Sequence, residues 1–278
     1  MKTLRYIGLA FAAGAMAVLL NTGAVAGGAK GVNDAVKPMS KDHPLDEIWS
    51  GYKWATAETR EMQDDDFANP GGPWLEVGEA NWTKVDGKAG KSCSTCHNDA
   101  AKSMKGVSTH YPLVDKASGK LMGIEARINN CRTKYMKAKP WKWDKKDLLG
   151  MTIYVKHQSL GMPINVKVDG AAKPFFEAGK KHYYTRRGQL DMSCAHCHEA
   201  NYGNYIRADI LSQGQTNGFP TYRLKWQKPG SVHRRFKGCN KQVRAKPYKQ
   251  GSDEYTALEL YVAWRGNGLP TETPAVRK

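Results

Sequence analysis

Two C-x-x-C-H pentads constrain this chain more than any other feature: Cys93-Ser94-Thr95-Cys96-His97 and Cys194-Ala195-His196-Cys197-His198. The pattern is the attachment signature for c-type haem, in which two thiols bond the porphyrin and the adjacent imidazole ligates the iron. A zinc site would pair C-x-x-C motifs without requiring the histidine that follows each one. Three disulfides are the other reading of six cysteines in an exported chain, yet the pentads use four of the six. Two covalently bound haem c groups are expected, on Cys93/Cys96 and on Cys194/Cys197. His97 and His198 are the expected proximal iron ligands.

The chain repeats itself around these pentads. Pro73, Glu76, Gly78, Trp82, Gly87, Ser92 and Cys93 recur as Pro174, Glu177, Gly179, Tyr183, Gly188, Ser193 and Cys194 at a constant offset of 101. Beyond the pentads the offset becomes 107 to 108: Arg127 and Cys131 match Arg235 and Cys239, and Tyr154-Val155 matches Tyr261-Val262. Apolar spacing over 74–82 and 175–184 suits a helix ahead of each pentad, and 143–154 and 252–264 read as closing helices. Ser252 is the expected N-cap of the last, with Gly266 and Gly268 ending it. Leu258, Leu260, Tyr261 and Trp264 are expected core residues. Strand patterns are scarce. The reading is an all-α fold of two tandem class I-like cytochrome c domains. The expected divisions are a 1–26 signal peptide, a 27–72 arm, a haem 1 domain over 73–165 and a haem 2 domain over 166–278. The arm is expected to be loose to about Ser40 and docked from His43 to Thr59, and 165–172 to be a linker.

The sixth iron ligand is not fixed by the pentads. Copy one offers Met104, Met122, Met136, Met151 and Met162, whereas no Met follows His198. Cys131 and Cys239 are the competent ligands at matched positions; Lys139 and Lys246 also match, but an ammonium must first lose its proton. The alternative for the two thiols is a mutual disulfide, which needs Cα atoms within about 7 Å. Arg127 and Arg235 each precede the thiol by four residues, so on a helix guanidinium and sulfur share a face. A haem carboxylate is the competing partner for either arginine. His233, Arg234, Arg235, Lys237, Lys241 and Arg244 make the surroundings of Cys239 strongly basic, a setting that lowers a thiol pKa and can hold a divalent oxyanion. Cys131 has Glu125 nearby instead. The asymmetry makes Cys239 the reactive thiol and Cys131 a structural ligand. His43, His110, His157, His182 and His196 form no pattern.

Lys2 and Arg5, an apolar run over 7–20 and the small residues Ala24-Val25-Ala26 read as a cleaved export signal, too short in its apolar run for a membrane span. The formal net charge of +17 would suit nucleic acid in a cytosolic protein. In an exported one it suits small anions or an acidic protein partner.

Two pentads, a cysteine after each and the stretch Arg235-Phe236-Lys237-Gly238-Cys239-Asn240 resemble the SoxA family, the dihaem subunit of the SoxAX cytochrome of periplasmic sulfur oxidation. The resemblance covers most of the mature chain, including the closing Tyr261-Val262-Ala263-Trp264-Arg265-Gly266-Asn267-Gly268. The resemblance implies L-cysteine S-thiosulfotransferase activity, joining thiosulfate to a cysteine of the carrier SoxY. It implies a SoxX monohaem partner, His97/Cys131 and His198/Cys239 axial pairs, Cys239 carried as a persulfide, and Arg235 binding substrate. A thiosulfate dehydrogenase making tetrathionate, and a plain dihaem electron carrier, are the rival readings.

Overall fold

The computed structural model describes residues 31–278; the expected signal peptide, 1–26, lies outside them. Ten α-helices are described: α1 (Ala57–Asp64), α2 (Gly72–Thr83), α3 (Cys93–His97), α4 (Ala100–Ser103), α5 (Ile124–Lys134), α6 (Lys146–His157), α7 (Lys173–Tyr184), α8 (Cys194–His198), α9 (Val232–Gln242) and α10 (Asp253–Arg265). The expected helices at 74–82, 175–184 and 252–264 are α2, α7 and α10. The closing helix of the first copy starts three residues later than expected, because Asp144 has φ +53° and Trp143 leaves the helix to stack on His233 at 5.0 Å.

Local chemistry sets these boundaries. Pro73 and Pro174 sit in the first turns of α2 and α7, where a missing N–H loses nothing. Ser252 accepts from Tyr255 N at 3.3 Å, and Asp253 and Glu254 occupy the positive end of α10. Ser92 and Thr95 cap α3 reciprocally, the Ser92 side chain accepting at 3.1 Å and its N–H donating at 3.0 Å. In α8 His196 takes the part of Thr95, Nδ1 accepting from Ser193 N at 3.2 Å.

The repeat is visible in the packing. α2 lies across α6 and α7 lies across α10, and these are the most extensive helix contacts described. Each crossing brings the backbones together at a matched glycine. A Cβ on Gly78 would stand 2.8 Å from the carbonyl carbon of Gly150, and one on Gly179 2.7 Å from that of Ala257. The larger core gathers Tyr183, Tyr255, Leu258, Leu260, Tyr261 and Trp264; the smaller gathers Trp82, Ile124, Met151 and Val155. Each such side chain contributes about 1.5–3 kcal/mol on leaving water.

Three expectations need correction. The chain is not purely helical: it carries the hairpins β1–β2 (Leu113–Val114, Leu121–Met122) and β3–β4 (Tyr205–Ile206, Asp209–Ile210). A three-stranded sheet adds β5 (Thr221–Arg223), flanked by antiparallel β6 (Lys228–Gly230) and parallel β7 (Ala275–Arg277). These strands are two or three residues long, too short to show alternation in sequence. The arm is not loose from 31 to 40: Val32 is buried and Val36 pairs with Ile48. Nor is 165–172 a free linker, since Val166 N donates to Asn267 Oδ1 at 2.9 Å and Ile164 N to Leu269 O at 2.9 Å.

The arm is fastened to the second half of the chain. Gln63 Nε2 donates to buried Glu272 at 3.1 Å, Gln63 Oε1 accepts from Val276 N at 3.0 Å, and Trp49 N donates to Gln213 Oε1 at 2.8 Å. No described helix is long and apolar enough to cross a membrane.

Candidate active site

In the second half, α8, α9, α10, β5 and the 212–218 loop enclose a cavity of about 340 Å³. Cys194, His198, Arg235, Phe236, Cys239 and Val262 all line it. The pentad and the lone thiol, forty residues apart in sequence, thus share one space. They do so because α9 is helical from Ser231, whose side chain accepts from Arg234 N at 3.1 Å, and because Arg235 and Cys239 are one turn apart on that helix.

His198 is built as a neutral ligand. Its Nδ1 donates to Ser212 O at 2.7 Å, which leaves Nε2 to face a metal. Burial holds its pKa down to about 4, with Arg235 and Arg265 contributing. Gly214, at φ +77°, presses its backbone on the ring: a Cβ there would meet His198 Cγ at 2.8 Å. Behind the loop stands Arg265, fully buried, donating to Gln213 O at 3.0 Å and lying 3.4 Å from Glu199. Burial pushes the Cys194 thiol up to about 12, so this sulfur prefers to be neutral, as a thioether is. Cys194, the seated imidazole and Cys239 in a cavity of cofactor size, with Cys197 close enough to Cys239 for their charges to interact, fit a covalent haem. Among the described residues no three His, Cys, Asp or Glu side chains are grouped so as to hold a bare metal ion.

The first half repeats the parts with different settings. Cys131 on α5 lies close enough to Cys93 and Cys96 that their charges act on one another, and burial pushes Cys93 up to about 11. His97 is exposed and packs near Trp82, ring centroids 5.9 Å apart. Arg127 donates to Asp115 at 3.1 Å. Met104 and Met151 are buried in the core. All six cysteines are free, so no Cys131–Cys239 bridge forms.

The basic cluster expected around Cys239 is dispersed. His233 is buried and turned away, its Nε2 3.0 Å from Glu259 and its Nδ1 accepting from Gly251 N at 2.9 Å. Arg234 lies over Trp226 at 4.3 Å, and Lys237 is exposed. Of the six basic residues singled out, only Arg235 lines the cavity. No carboxylate pairs with it among the described residues. Arg223, on β5, joins it there; it lies outside the basic run. Glu125 does not serve Cys131 either. It is buried with Glu259, His233 and Lys156 acting on it, and the acid near Cys131 is Asp115.

Residues 77–164 match the SoxA/TsdA cytochrome c domain family. The L-cysteine S-thiosulfotransferase subunit SoxA of Pseudaminobacter salicylatoxidans is 51% identical over 237 residues, covering 85% of this chain and 83% of that protein. SoxA of Paracoccus pantotrophus is 44% identical over 275 residues, 98% of this chain and 94% of that one. The crystal structure of SoxXA from P. pantotrophus superposes with a TM-score of 0.82 at 47% identity, over 84% of this chain and 89% of that chain.

Proposed function

This chain belongs to the SoxA family of L-cysteine S-thiosulfotransferase subunits, and from that premise we propose that the transfer occurs at Cys239. The chain is an enzyme of thiosulfate oxidation and carries a cytochrome c domain. Our reading adds the arrangement: two modules, 73–165 and 166–278, each with one haem c. Cys93, Cys96, His97 and Cys131 would hold the first; Cys194, Cys197, His198 and Cys239 the second. When bound, haem supplies a one-electron acceptor beside each distal thiol. The partners are a SoxX monohaem subunit, as in the P. pantotrophus complex, and the carrier SoxY. The setting is the periplasm, reached through the 1–26 leader.

The observation that carries this reading is the contrast between two matched arginines. Arg127 is answered by Asp115, while Arg235 opens unpaired into the cavity that also holds Cys239. A guanidinium in that position binds the sulfonate end of thiosulfate through charge-assisted hydrogen bonds. The terminal sulfur is then directed at the Cys239 sulfur, one helical turn away. Joining a cysteine thiolate and thiosulfate through a new S–S bond gives an S-thiosulfonate and releases two electrons. The carrier's thiolate next attacks the terminal sulfur, breaks its bond to Cys239 and leaves Cys239 as thiolate, which is ordinary thiol–disulfide exchange. His198, held by Ser212 O and pressed by Gly214, would hold the haem iron when the group is bound. Nothing in the relatives favours a tetrathionate product or plain electron carriage.

Peptide mass spectrometry of the purified exported protein tests the assignment. After the oxidised protein is exposed to thiosulfate, two covalent haems and extra sulfur on the Cys239 peptide, absent from the Cys131 peptide, are expected. A Cys239 that takes up no sulfur under those conditions, or one bridged to Cys131, would overturn the role given to it.

A further inference from the structure

The segments that precede the two distal-thiol helices superpose in sequence more deeply than the pentads suggest. At an offset of 108, Tyr111-Pro112 matches Phe219-Pro220, and Arg127 and Cys131 match Arg235 and Cys239. Both Tyr111-Pro112 and Phe219-Pro220 are cis peptides. Leu113 opens β1 and Thr221 opens β5 at the same offset. Tyr111, Leu113, Asp115 and Arg127 line a pocket in the first half, and Phe219, Thr221, Arg223 and Arg235 line the cavity in the second. The frame is the same, with one charge reversed. Position 115 is an aspartate, and its counterpart, position 223, is an arginine.

That reversal has a direct electrostatic consequence. In the first half the pair is Asp115 with Arg127, 3.1 Å apart and mutually neutralised. In the second half Arg235 shares its cavity with a second guanidinium, Arg223, near enough for the two charges to act on one another. Arg223 is 9% exposed, so its charge is poorly screened. It is anchored through Nε to Lys278 O at 2.8 Å and braced on Trp226 at 5.1 Å. The acid nearest to it, Asp209, is 3.8 Å away and already engaged by Lys225 at 2.5 Å. Burial and Arg235 lower the Arg223 pKa to about 10, as expected of two cations sharing one space. Two guanidinium groups line this cavity and its one acidic side chain, Asp209, is shared between Arg223 and Lys225, which leaves an excess of buried positive charge that an entering anion would offset.

We propose that Arg223 is a specificity-determining residue of the site, which with Arg235 forms a two-guanidinium clamp selecting divalent sulfur oxyanions. Two planar forks can take separate oxygens of one sulfonate end and leave the terminal sulfur free to face Cys239. One fork would serve a monoanion as well; two, with their mutual repulsion relieved, favour a dianion. The clamp deepens the reading of Arg235 given above and rests on it. It also gives the first half a reason not to react with the same ligand, since Asp115 occupies the matching place.

The test is equilibrium binding of thiosulfate to the oxidised, haem-loaded protein, read by calorimetry in parallel with turnover. Arg223→Gln is expected to raise the thiosulfate dissociation constant about tenfold to a hundredfold, with haem content unchanged. Arg223→Lys should recover part of the loss, and Arg223→Asp, which copies the first half, should abolish binding. If Arg235→Gln weakens binding while Arg223→Gln does not, the clamp is refuted and the role of Arg235 stands. If neither variant changes binding, both assignments fall. Should the Arg223 variants fail to retain haem, Asp115→Arg in the first half decides. It is expected to create a second thiosulfate-binding site, and one site only would refute the clamp.

Discussion

Gly179→Ala should loosen the second half of the chain, because α7 and α10 cross there with no space for a methyl group. A Cβ at 179 would stand 2.7 Å from the carbonyl carbon of Ala257 and 3.0 Å from Tyr261 Cβ, whereas carbon pairs settle at about 3.5–4.0 Å. The obstructing atoms belong to the α10 backbone and cannot rotate aside. Relief therefore requires α7 to move off α10 by about 1 Å, and a gap of that size forfeits up to half of each dispersion contact along the crossing. Overpacking costs about 1–3 kcal/mol, and a backbone-to-backbone crossing belongs at the upper end. Alanine's better helix propensity offsets about 1 kcal/mol of that. The net loss is about 2 kcal/mol, equivalent to about 4–8 °C in Tm for a chain of this length. Gly238→Ala in α9 is the control, since a Cβ there meets nothing within 4 Å; it should gain about 0.5–1 kcal/mol. Denaturant titrations of the haem-loaded proteins, followed by circular dichroism, should move the midpoint in opposite directions for the two alanines. A Gly179→Ala midpoint at or above that of the unsubstituted protein, with Gly238→Ala behaving as stated, would refute the close crossing.

Arg127→Gln, which removes a guanidinium already paired with Asp115, should leave turnover with thiosulfate within about twofold. Arg235→Gln should lower it about tenfold or more through KM. Burial, with Glu259 beside it, raises the Glu125 carboxyl to about 7, while an unfolded glutamate titrates near about 4.3. Between those values the folded chain keeps a proton the unfolded chain has lost, so stability falls as pH rises through the window. Glu125→Gln should flatten that fall in denaturation midpoints taken from about pH 5 to about pH 7. Arg265→Gln leaves Glu199 and the Gln213 carbonyl without their buried partner and should cost about 3 kcal/mol, measured in the same titrations.

What could be read in the sequence followed from covalent chemistry and period. The pentads, the helical spacing within each copy of the repeat and the cap at Ser252 depend on residues close together in the chain, and α2, α7 and α10 formed where those signals put them. Long-range electrostatics was read less well. Six basic residues near Cys239 looked like one cluster, but α9 turns His233 inward to Glu259 and Arg234 onto Trp226, so proximity along a helix overcounted the charge at the site. The arm was expected to dock, but not where. Its anchor, Glu272, lies more than two hundred residues from Ser50, which donates to it, and from Gln63. Strands of two or three residues left no alternation to detect.

Arg223 is the instructive case, because its signal was present. It precedes Arg235 by the same twelve residues that separate Asp115 from Arg127. The repeat hides it because the offset shifts from 101 to 108 between the pentad and the distal helix, and beyond that shift the copies share only scattered identities. An aspartate facing an arginine breaks identity at the very position where the two halves differ in charge. In a duplicated module, conserved positions report the shared frame. Divergence of charge at a matched, buried position reports which copy was adapted to take a ligand. The pairing of Asp115 with Arg127 and the open pairing of Arg223 with Arg235 are the two outcomes of that divergence.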